Sequence, residues 1–299
     1  GSVGQVREAG MRLLRWVKGS GTPVFVSGHM TKDGSLAGPR VLEHMVDVVL
    51  YLESQEDGGF RVLRSGKNRF GATTEVGVFE MTELGLTDVA DPSKALLSQR
   101  AGGAIGGALV PVVEGSRVLL LEVQALTSPS QLPAPRRVSN GLDYNRLLML
   151  AAVASRRAGL ELSGQDIIVN VAGGFKISEP AADLALVLAM ASSLYNCPLN
   201  LEMFAFGEIG LSAEIRPVSQ AQRRVNEAER LGLKKCILPE GCLEGLMVPQ
   251  GMKVVGVKTL RQAVNAVLTK DRSKSQNRKQ PDDWTEDFAW EPEGPLEPD

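Results

Sequence analysis

The residues best suited to chemistry lie in the segment Ser65–Gly71, which reads Ser-Gly-Lys-Asn-Arg-Phe-Gly. Lys67 and Arg69 are two positions apart, so an extended backbone would direct both cations to the same face. A lysine supplies a point charge and an arginine supplies a planar fork, and together they suit the binding of a polyphosphate. The alternative is a solvated turn between two strands, because short basic motifs match often by chance.

A second group of basic residues falls on a charged helix, which we predict to run from a cap at Ser219 to Leu231. Its side chains and the residues just beyond it offer a basic face that could contact DNA: Gln222, Arg223, Arg224, Arg230, Lys234 and Lys235. Arg223 and Arg224 are our candidates for that contact. A solvated helix face is the other explanation for such a run of charges.

Composition limits the possible functions of the chain. Its 299 residues suffice for about two domains. The net charge is −2, so any DNA contact must come from a local basic patch or from the lumen of a ring. The 3 cysteines form no C-x-x-C pair and only 2 histidines are present, so we predict no metal site. No apolar run approaches the ~18 residues of a membrane span, so no membrane contact is expected.

The elements that must position these residues alternate between helix and strand. A helix is predicted at Val3–Lys18 and a short apolar strand at Val24–Ser27, with similar alternation continuing to the end of the folded region. This order predicts an α/β fold. The glycine-rich run Ala101–Gly107 is predicted to link two domains.

Several runs of sequence resemble the RadA/Sms family of recombination proteins, across roughly residues 1–260. The runs that carry the resemblance are Lys67-Asn68-Arg69-Phe70-Gly71, the segment Gly28–Asp47, Asn170-Val171-Ala172-Gly173-Gly174 and Glu179-Pro180-Ala181-Ala182-Asp183.

The resemblance implies an α/β chain of two parts. Residues 1–100 would be the C-terminal part of a RecA-like ATPase core, and residues 108–270 would form a Lon protease-like α/β domain. Composition, and not the resemblance, predicts the glycine-rich linker at 101–107 and a disordered acidic tail at 271–299, since no lysine or arginine follows Gln280. The phosphate-binding loop G-x-x-x-x-G-K-[ST] is absent from the sequence. We therefore expect a piece that lacks the P-loop and binds no ATP by itself.

The resemblance also assigns roles to individual residues of the first part. His29 would sense the γ-phosphate of ATP. Thr31, Lys32 and Arg40 would contact DNA. Lys67 and Arg69 would reach across a subunit boundary to the ATP of a neighbouring subunit, where an arginine stabilises the charge that develops on the γ-phosphoryl group.

In the second part, the positions of a Lon-type Ser–Lys dyad fall on Ala181 and Arg224. Alanine has no nucleophile and arginine cannot act as a general base, so we expect a domain without proteolytic activity. Ser178 and Lys176 lie nearby but out of register.

The implied function is ATP-dependent branch migration and DNA unwinding during homologous recombination and repair. The resemblance implies a homo-hexameric ring, ATP and Mg²⁺ in the full-length protein, single-stranded and branched DNA as substrates, and a RecA-type recombinase as partner. The location would be the cytoplasm of a bacterium, or a mitochondrion or plastid. The alternatives are a non-catalytic, ring-forming DNA-binding scaffold and an ATP-dependent protease of the Lon type.

Overall fold

The computed structural model describes residues 3–28, 41–54, 59–98, 100 and 103–268. The chain opens with helix α1 (Val3–Ser20), close to its predicted extent. Residues 22–28 have no regular structure, so the strand predicted at Val24–Ser27 is wrong here. Phe25 is 96% exposed, and within the described ranges no strand pairs with this segment to supply the hydrogen bonds of a ladder.

A short helix and a four-stranded antiparallel sheet come next. Helix α2 is Val41–Met45, and the strands are β1 (Val48–Ser54), β2 (Phe60–Asn68), β3 (Val76–Thr82) and β4 (Gly85–Asp88). Each strand pairs with the next one along the chain, as short connections favour. β2 runs past Arg64 and includes Lys67.

Helix α3 (Pro92–Ser98) fastens this sheet to the rest of the molecule. The Asp91 carboxylate accepts a hydrogen bond from the Lys94 amide at 3.1 Å, which caps the start of the helix. Ser93 Oγ accepts a hydrogen bond from the buried Leu120 amide at 2.9 Å. Although the sequence groups α3 with the first part, the helix packs on the second.

The second part is built on a seven-stranded sheet. Its strands are β5 (Gly107–Glu114), β6 (Arg117–Pro129), β7 (Arg137–Asn140), β8 (Gln165–Val171), β9 (Met203–Ala205), β12 (Lys235–Pro239) and β13 (Lys253–Val257). They are ordered β13-β12-β9-β5-β6-β8-β7. Only the pairs β5/β6 and β6/β8 are antiparallel, so the sheet is mostly parallel. Strands β10 (Glu208–Ile209) and β11 (Ile215–Arg216) form a separate two-stranded ribbon.

Four helices cover this sheet: α4 (Tyr144–Val153), α5 (Asp183–Leu194), α6 (Ala221–Arg230) and α7 (Leu260–Leu268). α4 continues as a π turn to Ala158, and its inward face, formed by Leu147, Leu150, Ala151 and Ala154, is buried. α5 is buried on every side from Asp183 to Ser192, which its small and aliphatic side chains permit. The α/β class predicted from the sequence is confirmed.

One hydrophobic core extends through both sheets, from Phe60 to Leu268. The rings of Phe60 and Phe175 lie 5.8 Å apart and join the small sheet to the large one. At the predicted linker, the Gly106 amide donates to Ser192 Oγ at 2.9 Å, while residues 101–102 are outside the described ranges. Among the helices that the structure describes, none is long and apolar enough to cross a bilayer.

Candidate functional site

Lys67 is held by the backbone of its own chain. Its Nζ donates to the carbonyl oxygens of Glu43 at 2.8 Å, His44 at 3.1 Å and Val46 at 2.8 Å. These carbonyls lie at the C-terminal end of α2, where a helix leaves its last acceptors unsatisfied. The three N–H bonds of the ammonium group are therefore all used within the subunit.

A β-bulge in β2 places Lys67 there. Lys67 is opposite Val49, but Ser65 is opposite the next residue of β1, so Gly66 is an extra residue in the ladder. The extra residue shifts the alternation by one position, and Lys67 shares the face of the buried Val49. A side chain at Gly66 would collide with the ring of Tyr51, so glycine suits the bulge.

Arg69 lies just beyond β2 and is much more open. Its amide donates to the Asp47 carbonyl at 3.0 Å, and its guanidinium lies 3.2 Å from the Asp47 carboxylate. The side chain of Arg69 is 52% exposed and that of Asp47 is 50% exposed. Phe70 is 82% exposed. The Asn68 side chain holds the turn that follows β2, because its oxygen accepts a hydrogen bond from the Phe70 amide at 3.1 Å.

Both cations of the motif therefore contact the segment 43–47 of the same chain, but in different ways. Lys67 is engaged by three carbonyls, whereas Arg69 has one exposed ion pair. The remaining candidates of the first part, His29, Thr31, Lys32 and Arg40, lie outside the described residues.

In the second part, Arg224 is buried rather than presented to solvent. It is 1% exposed, and its guanidinium donates to both carboxylate oxygens of Glu179, at 2.8 and 2.6 Å. It also donates to the carbonyls of Ser219 at 3.0 Å and Pro111 at 2.5 Å and lies over the ring of Phe206. The prediction that Arg224 contacts DNA is therefore wrong, because its side chain is buried and its guanidinium is bound to Glu179 and to backbone carbonyls inside the protein.

The same ion pair lies at the position expected for the dyad. Ala181 is buried in the 3₁₀ turn Pro180–Ala182 that leads into α5, two residues after Glu179. Arg224 lies in the first turn of α6. A methyl group and a carboxylate-bound guanidinium offer neither a nucleophile nor a base.

A cavity of about 230 Å³ lies beside this turn, and its lining includes Ser178 but not Lys176. On one wall Arg146 forms a two-pronged ion pair with Asp183, and Asp183 also accepts a hydrogen bond from the Ile209 amide at 3.0 Å. Burial raises the pKa of the Asp183 carboxyl, while Arg146 and the amide oppose that rise. The described residues that line the cavity include no lysine.

The outer face of α6 borders an open groove of about 450 Å³, between the start of α3 and the turn that joins β5 to β6. Arg223 is exposed there, and it donates to the Gln220 side chain and to the Ser116 carbonyl. Arg230 is bound by two carboxylates, Asp91 at 2.7 Å and Glu227 at 2.8 Å. Arg223 therefore remains a candidate for DNA contact.

The β5–β6 turn (Glu114–Ser116) connects the two parts of the molecule. Arg64 of β2 forms a salt bridge with Glu114, and Ser116 Oγ donates to the Glu75 carboxylate at 2.9 Å. On its other side the turn receives the hydrogen bond from Arg223. Our sequence reading missed Glu114 and Glu179 as partners, and the second of them lies within a run quoted above for the resemblance.

Clusters of acidic, histidine and cysteine residues that could hold a metal ion are not found in the parts of the chain that the structure describes.

Comparison with known proteins relates both parts to DNA repair proteins. Residues 148–241 match a family model described as subunit ChlI of Mg-chelatase. The chain is 47% identical over 268 residues to the DNA repair protein RadA of Bacillus subtilis strain 168, covering 90% of this chain and 58% of that protein. It is 50% identical over 268 residues to the RadA of Pseudomonas aeruginosa PAO1, covering 90% and 59%.

The DNA repair protein RadA of Streptococcus pyogenes serotype M1 is 48% identical over 269 residues, again covering 90% of this chain and 59% of the relative. The chain thus spans less than two thirds of the length of these curated relatives.

Proposed function

We propose that this chain, which belongs to the RadA/Sms family of DNA repair proteins, forms part of a homo-hexameric ring that drives DNA branch migration with ATP. The ring would unwind and move single-stranded and branched DNA during homologous recombination, together with a RecA-type recombinase. ATP and Mg²⁺ would be required by the full-length protein. Because the relatives compared above are bacterial, we place this activity in the bacterial cytoplasm.

ATP would be bound by residues outside this chain's own sequence, since the 299 residues include no G-x-x-x-x-G-K-[ST] loop. The contribution of this chain is the basic motif, which would act on nucleotide held by the neighbouring subunit. An arginine supplied in this way typically raises phosphoryl-transfer rates by ~10³–10⁵-fold. A ring is required because the cation and the phosphate belong to different subunits.

The observation that carries this proposal is the exposure of Arg69 at the end of β2. Its single ion pair, with the exposed Asp47, is of a kind that contributes at most about 1 kcal/mol. Exchanging Asp47 for a phosphate therefore costs little, and a phosphate accepts two hydrogen bonds from the planar fork. The exposed Phe70 beside it offers an apolar contact to the same neighbour.

The test is the Arg69→Ala variant, made in the full-length protein that carries the phosphate-binding loop. We expect the single-turnover rate of ATP hydrolysis on single-stranded DNA to fall by ~10³-fold and branch migration to stop. Arg61→Ala, on the same strand, is the matched control and should retain both activities. An Arg69→Ala protein that hydrolyses ATP and migrates branches at the normal rate would exclude the proposal.

Contact in trans can be tested separately by mixing subunits. A subunit with the Arg69→Ala change should be partly rescued by one whose phosphate-binding loop is inactive, because the mixed ring regains some complete sites. Rates that follow simple dilution of two inactive proteins would argue that Arg69 acts within its own subunit.

For the second part we propose a Lon protease-like domain without proteolytic activity, which assembles the ring and contacts DNA. The buried Arg224–Glu179 pair and the Ala181 methyl group support the loss of protease chemistry, and the exposed Arg223 supports a role in DNA contact. A ring-forming scaffold without ATPase activity is the second candidate. Gel shifts with single-stranded DNA and the mass from light scattering, both measured on Arg223→Ala and on the unchanged protein, separate a DNA-binding ring from an inert monomer.

A further inference from the structure

The hydrogen bonds of Lys67 limit what this residue can do. An ammonium group has three N–H donors, and the carbonyls of Glu43, His44 and Val46 accept all of them at 2.8, 3.1 and 2.8 Å. The bulge at Gly66 aligns the side chain with these acceptors, as bulges beside functional residues commonly do. We call the three carbonyls the carbonyl cage.

The cage stabilises a segment that would otherwise be weakly held. α2 has 5 residues, too few for a helix that is stable by itself. The Val46 amide bonds back to the Leu42 carbonyl at 3.1 Å, and the next residue, Asp47, accepts from the Arg69 amide. A lysine bound to the last carbonyls of α2 therefore fixes where the helix ends and where β1 begins.

We propose that Lys67 exchanges between the carbonyl cage and a phosphate oxygen of nucleotide bound by the neighbouring subunit. This inference rests on the proposed function above and adds a mechanism to it. Because no donor of Lys67 is spare, a phosphate can be bound only when at least one carbonyl of the cage is released. Nucleotide contact therefore loosens the end of α2, and the tightness of α2 in turn changes nucleotide affinity by the same factor.

The consequence is a division of labour within the motif. Arg69 stabilises charge on the phosphate, whereas Lys67 reports the presence of that phosphate to α2. In the sequence, α2 follows directly after Arg40, the last of the three residues of the first part that are predicted to contact DNA. The cage thus connects the nucleotide signal to the segment that the sequence analysis assigns to DNA.

Hydrogen exchange of the Val46 amide in the full-length protein tests this proposal. Without nucleotide, Lys67→Ala should speed exchange of this amide by about tenfold or more, since charge-assisted hydrogen bonds to the helix end are lost. Lys67→Gln, which keeps two uncharged donors, should give an intermediate rate. Arg69→Ala is the matched control, because it removes only an exposed pair to the same segment and should leave the rate within about twofold.

The unchanged protein supplies the second arm. Adding a non-hydrolysable ATP analogue and single-stranded DNA should speed Val46 exchange toward the rate of nucleotide-free Lys67→Ala. Equal exchange in the unchanged and both Lys67 variants without nucleotide would overturn the cage. Unchanged exchange on adding the analogue would overturn the exchange between sites. Failure of the proposed function would be seen in a different experiment, as normal ATP hydrolysis by the Arg69→Ala variant. That outcome would not change the Val46 exchange rates measured without nucleotide.

Discussion

Arg224, which is buried, and Glu179, which is partly exposed, form a two-pronged ion pair that joins α6 to the turn before α5. Glu179 also accepts a hydrogen bond from the Val113 amide at 2.8 Å, so the pair fastens both helices to β5. Removing Arg224 takes the guanidinium away from the Glu179 carboxylate and empties the space that a buried side chain fills, and both losses destabilise the fold.

We therefore expect Arg224→Ala to lower the free energy of unfolding by about 3–5 kcal/mol. Arg224→Lys should not restore it, because a lysine has three donors and cannot reproduce the planar fork. Urea unfolding followed by circular dichroism measures the change. The neighbouring exposed residue provides the control, with Arg223→Ala shifting stability by no more than about 1 kcal/mol. Equal effects of the two alanine variants would contradict the assignment of Arg224 to the core.

The Ala181→Ser variant tests the loss of protease chemistry. The change restores a hydroxyl, but we expect no hydrolysis of a fluorescent casein substrate and no labelling by a serine-reactive phosphonate. The physical reason is that Arg224, bound by Glu179, cannot take the hydroxyl proton. The same assay on the double variant Ala181→Ser, Ser178→Ala distinguishes labelling of the new serine from labelling of Ser178 in the cavity. Hydrolysis by Ala181→Ser that survives the second change would mean that a base has been overlooked.

Glycine at position 115 is expected to be essential for the β5–β6 turn. Its φ is +57°, and an added Cβ would collide with the carbonyl oxygen of Thr74. Gly159 is a matched comparison, since its φ is +75° but no atom lies within 4 Å of an added Cβ. Gly159→Ala should cost about 1 kcal/mol from backbone strain alone. Gly115→Ala should cost at least about 2 kcal/mol more in urea unfolding, because backbone must move. Similar losses for both would show that the turn is not tightly held.

Asp91 should make the protein sensitive to acid. The Arg230 guanidinium lowers the pKa of the Asp91 carboxyl, with help from the Lys94 amide, despite partial burial. A carboxyl whose pKa is lower in the folded state than in the unfolded state stabilises the fold at any pH above the unfolded pKa of ~3.9. This contribution is lost as the pH falls through the lower pKa of the folded state. Arg230→Ala should therefore flatten the dependence of unfolding free energy on pH below ~4, by up to about 1 kcal/mol.

The control for this experiment is Lys234→Ala. Lys234 follows Arg230 closely in the sequence, and its removal breaks an exposed ion pair with Glu202 but does not touch Asp91. It should leave the slope below pH ~4 nearly unchanged. An NMR titration in which Arg230→Ala does not move the pKa of Asp91 would refute the assignment.

Much of the second part of the fold could be predicted from the sequence because its signals are local. The helix α4 begins at the capping residue Asp143, and its apolar positions repeat at helical spacing. Strands β7 and β13 were missed, since four or five residues give too short a pattern when pairing with a distant parallel strand decides the outcome. α6 starts after Gln220 rather than at the predicted cap, Ser219.

The burial of Arg224 was missed because arginine is rarely buried without a partner, and the partner, Glu179, is distant in sequence. A signal was present, since Arg224 lies on the same helix face as Ala221 and Ala228. The cage around Lys67 could not have been predicted, because it depends on a bulge in the register of β1 and β2. The spacing of Lys67 and Arg69 is visible in the sequence. Only the pairing of β1 with β2 shows that Lys67 is enclosed by carbonyls whereas Arg69 is exposed.

The continuous packing from Phe60 to Phe175 has a consequence for how this molecule can be taken apart. A piece that starts at residue 108 would lose Ser93, which accepts the hydrogen bond of the Leu120 amide, and Leu96, which is part of the shared core, and would expose part of its interior to water. Heating the intact chain should accordingly melt both sheets in a single step, whereas the shortened piece should be prone to aggregate.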